Sequence, residues 1–164
     1  MKRLLNFLII PAIAIFIATG CNRTPKNGFY SITVCSTTDL HGAYFDSYYN
    51  EEARLASLAN VSTYVKQLRT KGIKPVLIDV GDNLQGDNAA YYCNFIDTAS
   101  VHIFARAAEY IGYDAIVVGN HDIEAGHQVY DRFKEGKIPY LAANAIIEGS
   151  GGEPYFKPYT IVAR

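Results

Sequence analysis

The sequence has 164 residues, with 15 Lys and Arg against 16 Asp and Glu, a formal net charge of −1. It therefore lacks the positive field that nonspecific nucleic-acid binding requires. Apolar types make up 49% and charged types 19%, with 13 Gly and 6 Pro, which excludes a disordered charged tail, a collagen-like repeat and a coiled coil, and the length suits one domain.

Lys2 and Arg3 precede an apolar run from Leu4 to Ala18, interrupted by Pro11 and followed by Gly20 and Cys21. A short basic stretch, an apolar core and small residues before a cleavage point predict a secretory signal over residues 1–20. The run is short for a membrane span. Ala18-Thr19-Gly20-Cys21 resembles a bacterial lipobox, in which cleavage precedes the Cys and the Cys carries the lipid. That resemblance implies lipidation at Cys21 and an exported, membrane-anchored lipoprotein on the periplasmic or cell-surface side. A plain secreted protein and an uncleaved anchor are the alternatives. Residues 21–28 are polar with Pro and Gly and read as a tether, leaving 29–164 as the folded part. Cys35, in an apolar run, is expected to be a buried thiol, and no C-x-x-C pair or Cys/His cluster suggests structural zinc.

Phe29 to Ser36 is rich in β-branched and aromatic residues and predicts a strand. From Glu51 to Thr70, Leu55, Leu58, Val61, Val65 and Leu68 recur at three or four residues, one face of a helix that Gly72 ends. Val76 to Val80 is an almost uninterrupted apolar run, as in a strand buried on both faces. A loop from Gly81 to Asp97 leads to a second helix, with Val101, Phe104, Ala105 and Ala108 on one face and Gly112 at its end. Ala115 to Val118 is a third strand, Glu124 to Lys134 a third helix and Tyr140 to Ala143 a fourth strand. After the Gly149–Gly152 turn comes an extended segment, Tyr155 to Ala163. Strands and helices alternate at crossover spacing, which predicts an α/β architecture with a mostly parallel sheet.

Three strands run into polar, Gly-containing ends: Thr38-Asp39-Leu40-His41-Gly42, Gly81-Asp82-Asn83-Leu84-Gln85-Gly86 and Gly119-Asn120-His121-Asp122. In a parallel sheet these carboxyl ends share one edge, where ligands bind. Asp39, His41, Asp82, Asn120 and His121 are thus expected to converge. A mixed carboxylate, imidazole and amide set favours a transition metal over oxygen-bound calcium. Each signal alone fits a capped turn, but three in order, each closing an apolar strand, point to a site.

Together these motifs resemble the calcineurin-like metallophosphoesterases. Within them they are most similar to the 5′-nucleotidase family, which includes UDP-sugar hydrolases and 2′,3′-cyclic-nucleotide phosphodiesterases. The Gly-Asp-x-x-Gln-Gly form and Ala142-Ala143-Asn144 point to that branch, and the resemblance runs from Ser31 onward. It implies a layered α/β metallophosphoesterase fold holding two divalent transition-metal ions (Zn, Mn or Fe). Asp39 and His41 would bind the first metal, Asp82 would bridge both, and Asn120 would bind the second. His121 would face the substrate phosphate, stabilising charge or protonating the leaving oxygen. Its orienting carboxylate, usually Asp in the family, is here Glu124, one methylene longer. The implied substrate is a nucleotide or other phosphate ester.

The family completes its site with later histidines, including a Gly-His-x-His element, and adds a domain that binds the base. Neither His102, inside a predicted helix, nor His127 stands in such an element, and both read as packing or surface residues. On this reading 29–164 is the N-terminal half of the domain, incomplete at its C-terminus and of little turnover alone. Tyr48-Tyr49 and Tyr91-Tyr92 read as loop packing rather than base stacking. Gly149–Gly152 lacks the Lys-Ser/Thr of a phosphate-cradling loop. A rival reading is a noncatalytic surface lipoprotein on a degenerate phosphoesterase scaffold. A third is a sibling UDP-sugar or cyclic-nucleotide hydrolase.

Overall fold

The computed structural model describes residues 27–48, 52–54, 56–134 and 136–163. The expected signal peptide, Cys21 and most of the tether lie outside the described residues, as do Tyr49, Glu51 and Leu55. Contacts divide the chain into a unit ending at Ser31 and another from Ile32 onward. Only Asn27–Ser31 of the first are described, and the second holds every described strand and helix. Among the described residues no helix is long and apolar enough to cross a membrane.

Four parallel strands form one sheet in chain order, β1 (Val34–Thr37), β2 (Val76–Asp79), β3 (Ala115–Val117) and β4 (Tyr140–Leu141). Parallel pairing needs a crossover between successive strands, and helices supply it. The register sets Thr37 opposite Asp79, Asp79 opposite Ile116 and Val117 opposite Leu141. The strands therefore end almost level, and the loops that leave them share one edge.

Helix α1 (Leu58–Thr70) starts seven residues later than its apolar spacing suggests, because Ser57 caps it by accepting the Asn60 N–H at 3.2 Å. Leu58, Val65 and Leu68 form its buried face. The predicted loop after β2 contains a short helix, α2 (Asn88–Tyr91), capped by Asp87 and continued by a wide π-turn over Tyr92–Ile96. Helix α3 (Ile103–Ile111) ends at Gly112, whose φ of +83° suits glycine. A short helix, α4 (Asn120–Glu124), precedes Gly126 with its φ of +82°, and the expected helix from Glu124 to Lys134 is α5 (His127–Lys134), which starts just after it.

The strand predicted over 29–36 is shorter and shifted to Val34–Thr37, leaving Phe29, Tyr30 and Ile32 exposed. Among the described residues it pairs on one side only, with the four residues of β2. The last segment does not become a full strand. It makes one parallel bridge, Leu141 to Lys157, and Ala142 N–H donates to the Lys157 carbonyl at 3.1 Å. Pro158 then offers no N–H to extend a ladder. Cys35 is half-buried rather than fully buried, and both it and Cys93 are free thiols.

The core gathers Leu58, Leu77, Leu84, Phe104, Ala108 and Val129, each at most 1% exposed. Tyr44, Phe104, Phe133, Tyr140 and Phe156 run through it as a chain of ring contacts. That core fixes the strands whose ends carry the polar motifs.

Candidate metal centre

The loops after β1 and β2 are stitched together by their own backbones, and the loop after β3 is tied to them through the Asp82 and Asp122 carboxylates. Asp39 N–H donates to the Gly81 carbonyl at 3.0 Å, His41 N–H to the Asp82 carbonyl at 2.9 Å, and Asp87 N–H to the His41 carbonyl at 2.9 Å. Asp39, His41 and Asp82 all adopt left-handed backbones, with φ of +54°, +45° and +62°. Non-glycine residues rarely do so, and such strain gathers at functional sites. Gly119 permits the close approach of the third loop: a Cβ there would lie 2.1 Å from Asp82 Oδ1.

This stitching brings His41, Asp82 and His121 together. One ligand atom from each lies within 4.8 Å of the other two. The two imidazoles meet edge to face with centroids 5.2 Å apart. His41 turns Nδ1 toward Gln85, 3.1 Å from its side-chain oxygen and 3.3 Å from its carbonyl. That leaves Nε2 facing Asp39 Oδ1 at 3.7 Å. Asp82 Oδ1 accepts the His121 N–H at 2.9 Å. Asn120 opens α4 immediately before His121, with an exposed side chain. Among the sequence-predicted residues, then, His41, Asp82 and His121 form the tight group, and Asp39 stands at its rim beside His41.

Glu124 reaches back to His121, its Oε1 2.9 Å from Nδ1. The contact lies at ion-pair distance, yet Nδ1 is buried without an aligned hydrogen bond. The extra methylene of Glu brings the charge to the ring but off the N–H axis. Glu124 nevertheless raises the basicity of the His121 imidazole, and Asp82 and Asp122 add to the effect.

Two buried acids that the strand-end spacing did not single out hold the loops. Asp122, fully buried, accepts four backbone N–H groups: Asp82 at 3.0 Å, Asn83 at 2.7 Å, Leu84 at 2.9 Å and Gly119 at 2.9 Å. Asp79, at the end of β2, accepts from Thr37 Oγ1 at 2.5 Å, Asn83 Nδ2 at 2.5 Å and Gly81 N–H at 2.9 Å. Burial pushes the Asp79 carboxyl above its ordinary value, against those three lowering bonds. The sequence signal for Asp79 was a charge ending an otherwise apolar strand. For Asp122 it was an acid directly following the Asn-His pair.

The remaining histidines have other work. His102, 3% exposed, caps α3 by accepting the Phe104 N–H on Nδ1 at 3.1 Å, and its Nε2 faces Asn94 Oδ1 at 3.1 Å. It is a packing residue at the helix start rather than inside it. His127 is largely exposed and sits beside Tyr155 and Asp131 at 2.9 and 3.4 Å.

The His41 imidazole and the Asp82 carboxylate at this spacing, held by left-handed turns at one sheet edge, fit a divalent transition metal, and the His121 imidazole stands beside them. The Glu124 carboxylate beside His121 and the four-donor grip of Asp122 supply outer contacts of the kind such sites use.

Comparison with known proteins extends the picture. The chain is 31% identical over 159 residues to Protein UshA of Salmonella pullorum, covering 93% of this chain and 28% of that protein. It is 29% identical over 144 residues to a 2′,3′-cyclic-nucleotide 2′-phosphodiesterase/3′-nucleotidase of Yersinia enterocolitica, covering 85% and 22%. The chain thus spans about a quarter of the length of these curated relatives. In structure it matches the calcineurin-like phosphoesterase YfkN of Bacillus subtilis with a TM-score of 0.67 and 25% identity, covering 81% of this chain and 42% of that one. No family model matches the chain.

Proposed function

We propose that this chain, a homologue of the 5′-nucleotidase and cyclic-nucleotide phosphodiesterase branch of the calcineurin-like phosphoesterases, contributes to metal-dependent hydrolysis of nucleotide phosphate esters outside the cytoplasm. The observation that carries this reading is the convergence of His41, Asp82 and His121 from three successive strand ends onto one point.

His41 and Asp82 would hold the ions, with Asp39 and Asn120 completing the set from the rim. Divalent cations there would supply Lewis-acid polarisation of a phosphoryl oxygen and an activated nucleophile. The chain's own residues do the rest. Gln85 fixes the ring plane of His41 through Nδ1. The His121 backbone N–H holds Asp82 Oδ1 in place. With Nδ1 of His121 turned to Glu124, Nε2 is left to face the phosphate, and the raised basicity lets the ring hold a proton for the leaving oxygen. The basic start, apolar run and Cys21 support export and lipid anchoring of the same protein.

The test uses the full purified chain. Zn²⁺ or Mn²⁺ binding is followed by titration calorimetry, and phosphate release is measured from AMP and from 2′,3′-cyclic AMP. Wild type is expected to bind the cation, and Asp82→Asn and His41→Ala to lose that binding by tenfold or more. Binding unchanged by both substitutions would overturn the reading. A preference for AMP or for the cyclic ester assigns the branch.

A further inference from the structure

We propose that Asp122 is the positioning residue of this centre: a non-ligand carboxylate that sets the place of Asp82 and, through it, the affinity for the cation. The inference rests on the metal reading above and deepens it.

Both oxygens of Asp122 are fully used. Oδ1 takes the amides of Asn83 and Leu84, and Oδ2 takes those of Asp82 and Gly119. Three of these donors belong to the loop after β2 and one to the turn after β3, so a single side chain spans two strand ends. A reciprocal bond runs the other way, from the His121 amide to Asp82 Oδ1. Asp122 thus grips the backbone of Asp82, Asp82 grips that of His121 beside Asp122, and the pair forms a cross-brace. The bonds hold Asp82 in its left-handed backbone, at φ +62°, a conformation that an unsupported Asp leaves readily. The neighbouring buried acid does not stand in for Asp122, since Asp79 is already occupied by Thr37, Gly81 and Asn83.

Asparagine in place of Asp122 keeps the shape but turns one oxygen into an N–H₂ group facing two amide donors, which breaks half the brace. Outer partners of this kind change metal affinity by roughly ten- to a hundredfold.

The experiment compares Zn²⁺ affinity of the full chain by titration calorimetry in wild type, Asp122→Asn, Asp82→Asn, the double variant, and Val129→Ala. The last truncates a fully buried core side chain of α5, outside the three loops in sequence and in none of the bonds of the brace, and controls for destabilisation. Asp122→Asn is expected to lose at least tenfold in affinity while Val129→Ala stays within twofold. In the Asp82→Asn background Asp122→Asn is expected to add nothing. An Asp122→Asn affinity within twofold of wild type, or an undiminished effect in the double variant, would overturn the proposal. Should Asp122→Asn not fold, amide exchange in wild type decides. The Asp82 and Gly119 amides should be protected although both residues are half-exposed, and exchange at free-loop rates rejects the brace. A wild type that binds no cation but shows this protection rejects the functional reading and leaves the brace standing.

Discussion

Gly119 carries no side chain because Asp82 occupies the space one would need. A Cβ there would sit 2.1 Å from Asp82 Oδ1 and 2.4 Å from its amide nitrogen, and neither backbone nor a braced carboxylate gives way cheaply. Gly119→Ala is therefore expected to cost about 1–3 kcal/mol and to weaken cation binding together with stability, read by urea denaturation and calorimetry on one preparation. Gly149 is the contrast. Its φ is +74° but nothing lies within 4 Å of an added Cβ, so Gly149→Ala should cost only about 1–2 kcal/mol of backbone strain and leave the cation untouched. A second residue-scale expectation concerns His121, whose basicity Glu124 raises. Glu124→Gln should move the imidazole titration of the metal-free protein to lower pH, followed by its ring-proton NMR shifts. An unmoved titration would mean that the off-axis contact carries no charge interaction.

At the scale of elements, His102 couples helix α3 to pH. Burial pushes its imidazole down to about 4, with Arg132 adding to the effect, so the folded state keeps it neutral where the unfolded chain, at an ordinary 6.5, takes up a proton. Between those values the unfolded state binds more protons, and stability falls as pH drops from about 6.5 toward 4. The loss reaches at most about 3 kcal/mol. His102→Asn retains a good cap without the titration, so its stability relative to wild type should rise as pH drops through that window in urea melts at stepped pH. The same residue shows where sequence reading runs out. Periodicity located α3, since Phe104 and Ala108 recur at helical spacing, but an imidazole is an uncommon cap and its role lies in a bond to the Phe104 amide. The short first strand, the late start of α1 at Ser57 and the start of α5 after Gly126 are of one kind: each boundary is decided by a cap, a neighbour's length or a positive φ. The parallel pairing of the strands and the gathering of His41, Asp82 and His121 were legible, because apolar runs at crossover spacing that end in Gly-Asp or Asn-His carry both facts. The brace of Asp122 was not, because which backbone amides a buried carboxylate takes depends on how two distant loops cross.

At the scale of the whole molecule, the candidate site hangs on the core through Tyr44. Its hydroxyl donates to the Asn83 carbonyl at 2.7 Å, inside the loop that Asp122 grips, and its ring stacks on Phe104 with centroids 5.9 Å apart. Phe104 is fully buried and also touches Phe133, so one side chain joins α5 to Tyr44 and, through it, to the loop after β2. Phe104→Ala should cost about 3–5 kcal/mol, a large share of the roughly 5–15 kcal/mol that holds a domain of this size together. The consequence for the site is separable from that for the fold. Phe104→Leu fills most of the volume, so it should recover most of the stability while still removing the flat surface under Tyr44. If core and site are joined through this ring, the Leu variant will melt close to wild type yet show faster amide exchange at Asp82 and a weaker grip on Zn²⁺. Wild-type exchange and affinity in a Phe104→Leu protein would mean that the loops are held by Asp79 and Asp122 alone, independent of the aromatic chain beneath them.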